Sequence, residues 1–302
     1  MTRMNRLVYI AAAIAVCVIA ATVLAHDVRT FTLGEVAQAW RSIPRSKVGM
    51  SLLLTAASFS ALGCYDILAV RTMFPGRVQA RLAWLAGATG NAISNTLGFH
   101  AVTGSVVRYR LYRQAGLNAK EVAALVAFTW SALGLGFVTV FAVALLARHA
   151  SPLDSFAGAS LVVALMALLI WLGPRGRHIS VARFSLALPS SASAALQLAI
   201  AAIEMSAAIG ALYVLMPVRA ASFAGFAAAY IAAVLLGVVS HAPGGIGVFE
   251  AAMLSFTGGQ DEAGILAALL LYRLIYNLLP FGLSALALGA FELTHRSQLD
   301  GG

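Results

Sequence analysis

Asp66, Glu204, Glu250 and Arg273 are ionisable residues set in or at the ends of apolar segments, where a charge needs a partner or a wet cavity. An acid at the centre of a membrane helix costs about 2.5–3.5 kcal/mol on insertion scales, and arginine keeps its charge in effectively every environment. Glu204 is the clearest anomaly. It lies near the centre of the apolar segment 194–216, and Gln197 stands seven residues earlier on the same helical face. Asp66 ends the polar stretch Ser58-Phe-Ser-Ala-Leu-Gly-Cys-Tyr-Asp66, five residues before Arg71, so an interfacial acid is the alternative to a functional one. Arg273, Tyr276, Asn277 and Pro280 recur at helical spacing and define one face. The anions open to Arg273 are Glu204, Asp66, Glu250 and a lipid phosphate. Chemistry of this kind holds and releases a charged group inside a bilayer.

Two polar breaks stand beside these charges. The stretch from Asn91 to Arg113 carries Asn91, Asn95, Gly98, His100 and Gly104, then runs into Arg108, Arg110 and Arg113. The second, Ser240-His-Ala-Pro-Gly-Gly-Ile-Gly-Val-Phe-Glu250, contains His241, Gly244, Gly245 and Gly247. Irregular backbone at membrane depth is tolerated where it is buried in protein or lines a cavity, and paired Gly-interrupted segments point to a transporter's binding site. A helix starting after the glycines would offer free N–H groups to an anion, with Glu250 in or near its first turn. No second His or Cys stands at ligand spacing from His100, so no metal and no cofactor is expected. G-x-S-x-G, H-E-x-x-H, the dinucleotide fingerprint and the G-x-x-x-x-G-K-[ST] loop are absent, which argues against a soluble-type enzyme and against direct ATP drive.

The elements that position these residues are membrane helices. Of 302 residues, 61% are hydrophobic and 10% charged, and mean hydropathy is +0.90. A soluble domain averages about 25% charged residues. The class is therefore an all-α polytopic membrane protein, with about 7–8 transmembrane helices and one or two re-entrant or broken segments. The apolar runs lie at about 7–25, 48–70, 82–106, 119–147, 156–173, 194–216, 222–240 and 263–291. No linker is long enough for a soluble domain, so residues 1–302 read as a single membrane domain. The segment Leu7–Ala25 is 19 residues long, which favours an uncleaved span over a secretory signal. Cys17 and Cys64 lie in apolar segments without ligand spacing and read as packing residues.

The net charge of +9 sits in short loops, which argues for topology and anionic headgroups, not nucleic acid. With a cytoplasmic N-terminus and a re-entrant 82–106, 12 Lys and Arg residues fall inside, including the clusters at 71–81, 108–120 and 175–183. Six fall outside: Arg29, Arg41, Arg45, Lys47, Arg148 and Arg219. A full crossing by 82–106 would move the clusters at 108–120 and 175–183 outward, so the charge rule favours a re-entrant third segment.

The motifs Leu97-Gly-Phe-His100, Arg108-Tyr-Arg-Leu-Tyr112, Pro243-Gly-Gly-Ile-Gly-Val-Phe-Glu250 and Tyr272-Arg-Leu-Ile-Tyr276 resemble the lysylphosphatidylglycerol synthase transmembrane-region family over about 45–290. The resemblance implies the membrane half of the bacterial multiple-peptide-resistance-factor proteins, which flips aminoacylated phosphatidylglycerol to the outer leaflet and confers resistance to cationic antimicrobial peptides. The resemblance covers only that membrane half and not the cytosolic synthase half, so synthesis is not expected of this chain. The implied function is thus a lipid flippase of the bacterial inner membrane and not an enzyme. Its partners would be anionic or aminoacylated phospholipids, with a separate synthase chain and homo-oligomerisation left open. On this reading Arg273 and the backbone at Gly244–Gly247 hold phosphate, while Asp66, Glu204 or Glu250 matches a cationic headgroup. Arg108 and Arg110 recruit anionic lipid at the inner face. The alternatives are a transporter of another phospholipid or a hopanoid-type lipid, a membrane-embedded transferase, and a non-catalytic subunit that docks a synthase.

Overall fold

A computed structural model of the chain describes residues 38, 41–98, 100–148, 151–174, 177–181, 184–217, 222–239, 247–256 and 262–299. The expected first span at 7–25 lies outside these residues. Ten α-helices follow: α1 (Arg45–Met73), α2 (Ala80–Leu97), α3 (His100–Tyr112), α4 (Ala119–Arg148), α5 (Pro152–Leu172), α6 (Ser191–Tyr213), α7 (Phe223–Val239), α8 (Val248–Phe256), α9 (Glu262–Tyr272) and α10 (Leu279–Leu299). A π-helical stretch, Arg273–Leu278, joins α9 to α10 without a break. Among the described residues five helices are long and apolar enough to cross a membrane, and the shorter Phe223–Gly237 is apolar as well. The molecule is an all-α polytopic membrane protein. The linker 174–193, unassigned in the sequence, holds one short antiparallel hairpin, β1 (Arg177–Val181) with β2 (Phe184–Leu188), in which Arg177 pairs with Leu188 and Val181 with Phe184.

Local chemistry sets the helix ends. Ser151 caps α5 by accepting the Asp154 N–H, with Pro152 at the first helical position, and Ser190 caps α6 by accepting the Ser193 N–H. Gly98 ends α2 at φ +72°, a conformation that L side chains rarely adopt, and its N–H bonds the Ser94 carbonyl at 2.9 Å. The chain turns there and α3 runs back along α2. Arg77, before α2, bonds the Gly116 carbonyl and pairs with Glu121, after α3, so both ends of the α2–α3 hairpin lie on one side. The expected re-entrant third segment is therefore observed.

α1 and α6 are antiparallel along their length: Lys47 Nζ donates to the Met216 carbonyl, Ser51 Oγ to the Ala211 carbonyl, and Ser58 Oγ to Glu204. Small residues on this seam (Ser51, Thr55, Ala61, Ala208 and Ala211 are all buried) let the backbones approach, as membrane packing requires. α4 packs on α6 and α7, and α10 packs on α2, so each re-entrant hairpin has a long helix from the other half of the chain against it. The second hairpin is α7–α8, which pack together, with Tyr230 against Phe249 at 5.4 Å. α7 begins where α6 ends, with Phe223 on Tyr213, next to the Lys47 end of α1. Far from it, Leu288 and Phe291 of α10 join the cluster of Ala69, Ala83, Leu111 and Tyr112. The hairpins α2–α3 and α7–α8 thus enter from opposite sides. Arg71, Arg77, Arg81, Arg113 and Lys120 share the α2–α3 side, while Arg41, Arg45, Lys47 and Arg148 share the other.

Close approach inside the first hairpin depends on Gly104. A Cβ there would press on Ser94 Oγ and meet Arg108 Nη1 at 3.1 Å and the Gly90 carbonyl at 3.3 Å. The backbone carbonyl cannot give way, and overpacking of this kind costs about 1–3 kcal/mol. Gly104→Val is expected to lower the melting temperature in detergent, whereas Gly134→Val, in open space on α4, is expected to leave it nearly unchanged. Equal melting temperatures for the two variants would refute the packing argument.

Candidate charged site in the membrane interior

The first charged pair ties the hairpin α2–α3 to α1. Arg108 of α3 is 2% exposed and Asp66 of α1 is 0% exposed. Arg108 Nε donates to Asp66 Oδ2 at 2.8 Å and Nη2 to Oδ1 at 3.0 Å, a fork-on-fork pair. Tyr112, one helical turn after Arg108, donates its hydroxyl to Asp66 Oδ2 at 2.7 Å. The carboxylate therefore has three polar donors, which is what a charge removed from water needs. Arg108 reaches it across the gap left by Gly90 and Gly104.

The second pair ties the hairpin α7–α8 to the long C-terminal helix. Arg273, at the start of the π stretch, donates from Nε to Glu250 Oε1, and the two side chains are only 13% and 10% exposed. Glu250 stands in the first turn of α8 and its other oxygen accepts the Gly247 N–H at 2.8 Å. An acid at that position satisfies a free N–H and complements the helix dipole. Each re-entrant hairpin thus carries a buried, ion-paired charge on its returning arm, Arg108 on α3 and Glu250 on α8, held by a residue of opposite sign on a full-length helix.

Glu204 is the third element, 5% exposed on the α1–α6 seam. Its Oε1 accepts from Ser58 Oγ at 3.1 Å and from the Tyr276 hydroxyl at 3.3 Å. Ser58 Oγ and the Tyr276 hydroxyl are 2.8 Å apart. Glu204 Oε2 has no hydrogen-bond partner among the described residues, nor have the buried Tyr65 hydroxyl and Thr55 Oγ1 on α1. Tyr272 stacks on Tyr276 at 5.0 Å and its hydroxyl meets that of Tyr230 at 2.8 Å.

Several expectations are corrected by this geometry. Asp66 is neither solvated nor paired with Arg71: it is fully buried and its cation is Arg108. Arg108 is accordingly not an exposed inner-face recruiter of lipid, because Asp66 holds it inside, whereas Arg110 is half-buried. The anion of Arg273 is Glu250. Arg273, Tyr276 and Asn277 do not share one face. The wider π turn fans them to α8, to the α1–α6 seam and to the tip of α2, where Asn277 Nδ2 donates to the Asn95 carbonyl and Thr96 Oγ1 to the Asn277 carbonyl. The Gly247 N–H is not open to an external anion, since Glu250 takes it. Asn91 is buried and donates to the Gly87 carbonyl within α2. His241, Gly244 and Gly245 lie outside the described residues, as does the side chain of His100, which opens α3. Sequence reasoning passed over Tyr112, Tyr65, Tyr230 and Tyr272 as site residues. Their signal was a tyrosine hydroxyl inside an apolar helix, which needs a partner there.

No family model matches the chain. It is 29% identical over 279 residues to the uncharacterized protein slr0712 of Synechocystis sp., covering 87% of this chain and 85% of that one. It is 26% identical over 240 residues to the inner membrane protein YbhN of Escherichia coli, covering 75% of this chain and 74% of the relative. A shorter stretch of 73 residues is 45% identical to phosphatidylglycerol lysyltransferase of Staphylococcus aureus, which is 24% of this chain and 9% of that enzyme. The chain is thus a multi-pass membrane protein, similar along most of its length to slr0712 and to the inner membrane protein YbhN, and locally to the lysyltransferase.

Proposed function

We propose that this chain translocates a phospholipid across the bacterial inner membrane, with aminoacylated phosphatidylglycerol as the substrate class and outward movement as the direction. The observation that carries the reading is the pair of re-entrant hairpins entering from opposite sides, each latched by an ion pair buried in the protein. Broken helices of this kind, in repeats of opposite direction, are how transporters build a site near the midplane that opens to each side in turn. The inner membrane location is supported by the YbhN likeness, and the headgroup class by the local likeness to the lysyltransferase. With Arg71, Arg77, Arg81, Arg113 and Lys120 on one side, the charge rule supports a cytoplasmic α2–α3 side.

On this reading each latch is a gate. Opening the cytoplasmic hairpin separates Arg108 from Asp66, and opening the other separates Glu250 from Arg273. A zwitterionic or cationic headgroup offers a phosphate to the freed arginine and an ammonium to the freed acid, so substrate replaces the lost partner and lowers the cost of opening. A lipid without the ammonium leaves the acid bare.

The test is reconstitution of the full chain in vesicles with fluorescent lysyl-phosphatidylglycerol, with plain phosphatidylglycerol as comparison and protein-free vesicles as baseline. Lysyl lipid is expected to become accessible to an outside quencher several-fold faster than plain lipid. If both lipids move only at the protein-free rate, the reading is wrong for this substrate class.

A further inference from the structure

Among the described residues the interior charges balance except for one. Asp66 is neutralised by Arg108 and Glu250 by Arg273, while no cation stands against Glu204. We propose that Glu204 is a proton-binding site, and that its proton is exchanged for the ammonium of a cationic lipid headgroup during each transport cycle. The proton site stands on the geometry alone; the exchange rests on the translocator reading.

Two arguments support the site. The first is charge: an ionised Glu204 would leave the interior one negative charge in excess, with Oε2 buried and unpartnered. Such a group neutralises by taking up a proton. The second is a proton count. Glu204 Oε1, Ser58 Oγ and the Tyr276 hydroxyl form a triangle of three polar contacts, at 3.1, 3.3 and 2.8 Å. The two hydroxyls bring two hydrogens between them, so one edge of the triangle stays without a hydrogen unless the carboxyl carries a third.

The groups that face Glu204 are hydroxyls on every side. α1 presents Ser58 and Tyr65, the C-terminal helix presents Tyr272 and Tyr276, and α7 presents Tyr230. α4, which also packs on α6, has no Asp, Glu, His, Lys, Arg, Cys or Tyr between Val122 and Ala147. α5 has only Asp154, at its far end beside Arg148, and Glu204 is the one charged residue of α6 itself. With no fixed cation, Glu204 holds one exchangeable cation at a time. Release of its proton leaves one negative charge, and the entering ammonium neutralises it. One proton therefore moves against one cationic lipid, and the lipid is driven toward the more acidic side.

The test uses the full chain in vesicles carrying a pH-sensitive dye inside, fluorescent lysyl-phosphatidylglycerol, and an imposed pH gradient. Lysyl lipid is expected to move several-fold faster toward the acidic compartment than without a gradient, with proton flux in the opposite sense. Plain phosphatidylglycerol should give no flux. Glu204→Gln keeps the shape, can supply the third hydrogen of the triangle from its amide and cannot exchange a proton, so it is expected to lose both the gradient dependence and the flux. Lysyl lipid movement indifferent to the gradient, or undiminished flux in the variant, overturns the exchange. If no lipid moves at all, the translocator reading has failed and infrared spectroscopy still decides the proton site. The wild type should show the carbonyl stretch of a protonated carboxyl at neutral pH, absent from Glu204→Gln. A wild type lacking that band overturns the site.

Discussion

Replacing Arg108 with alanine is expected to lower the unfolding free energy by about 3–5 kcal/mol and to abolish lipid movement, because it leaves a buried carboxylate without its cation. Asp66 is 0% exposed, and after the change only the Tyr112 hydroxyl would remain on it. Asp66→Asn leaves Arg108 bare and should be comparably damaging. The double variant, Asp66→Asn with Arg108→Met, removes both charges at nearly constant volume, and buried pairs replaced in this way are often neutral or stabilised. It should recover most of the lost stability. Thermal unfolding in detergent of the wild type, Asp66→Asn, Arg108→Met and the double variant closes the cycle that gives the coupling energy. A double variant as unstable as Arg108→Ala would show that the pair acts through something other than its charges. Recovered stability without recovered transport would separate the latch from the scaffold, since a latch must be able to break and re-form.

The contrast between this pair and the rest of the molecule shows what a single chain reveals by itself. Hydropathy and the absence of alternation were enough for the helices, because 20 or so apolar residues in one run have few other fates. The re-entrant α2–α3 hairpin was legible from Lys and Arg placement, since a full crossing would have carried Arg110, Arg113 and Lys120 to the wrong side. The polar stretch 91–113 was legible as a break, but nothing in it singled out Gly98 over Gly104 as the tip. What the sequence left open was partnership. Asp66 and Arg108 are 42 residues apart, Glu250 and Arg273 are 23 apart, and Ser58 and Tyr276 are 218 apart. Nothing local distinguishes the cation that meets a given acid. The π stretch was hidden for a related reason: Arg273, Tyr276 and Asn277 fit an α-helical face in sequence, and only packing against three different elements widens the turn.

Arg273→Ala should separate function from stability more sharply than any change at Arg108. Its pair with Glu250 is less buried, at 13% and 10% against 2% and 0%, and Glu250 keeps a second partner in the Gly247 N–H. Loss of the charged hydrogen bond is therefore expected to cost about 1.5–3 kcal/mol of stability. Transport should fall far more. Arg273 is the cation that a lipid phosphate would meet when the α7–α8 latch opens, and it stands at the start of a π turn, a feature often found at functional sites. Movement of fluorescent lysyl-phosphatidylglycerol in vesicles is expected to drop by more than about tenfold, equivalent to at least 1.4 kcal/mol on the barrier. Arg273→Lys keeps the charge as a point and should retain a measurable part of the rate. Glu250→Gln leaves Arg273 free but unlatched, so the lipid should move with weaker headgroup preference and not simply stop. Transport at the wild-type rate in a folded Arg273→Ala protein would remove the arginine from the mechanism. The headgroup would then have to be held by the α2–α3 side of the molecule alone.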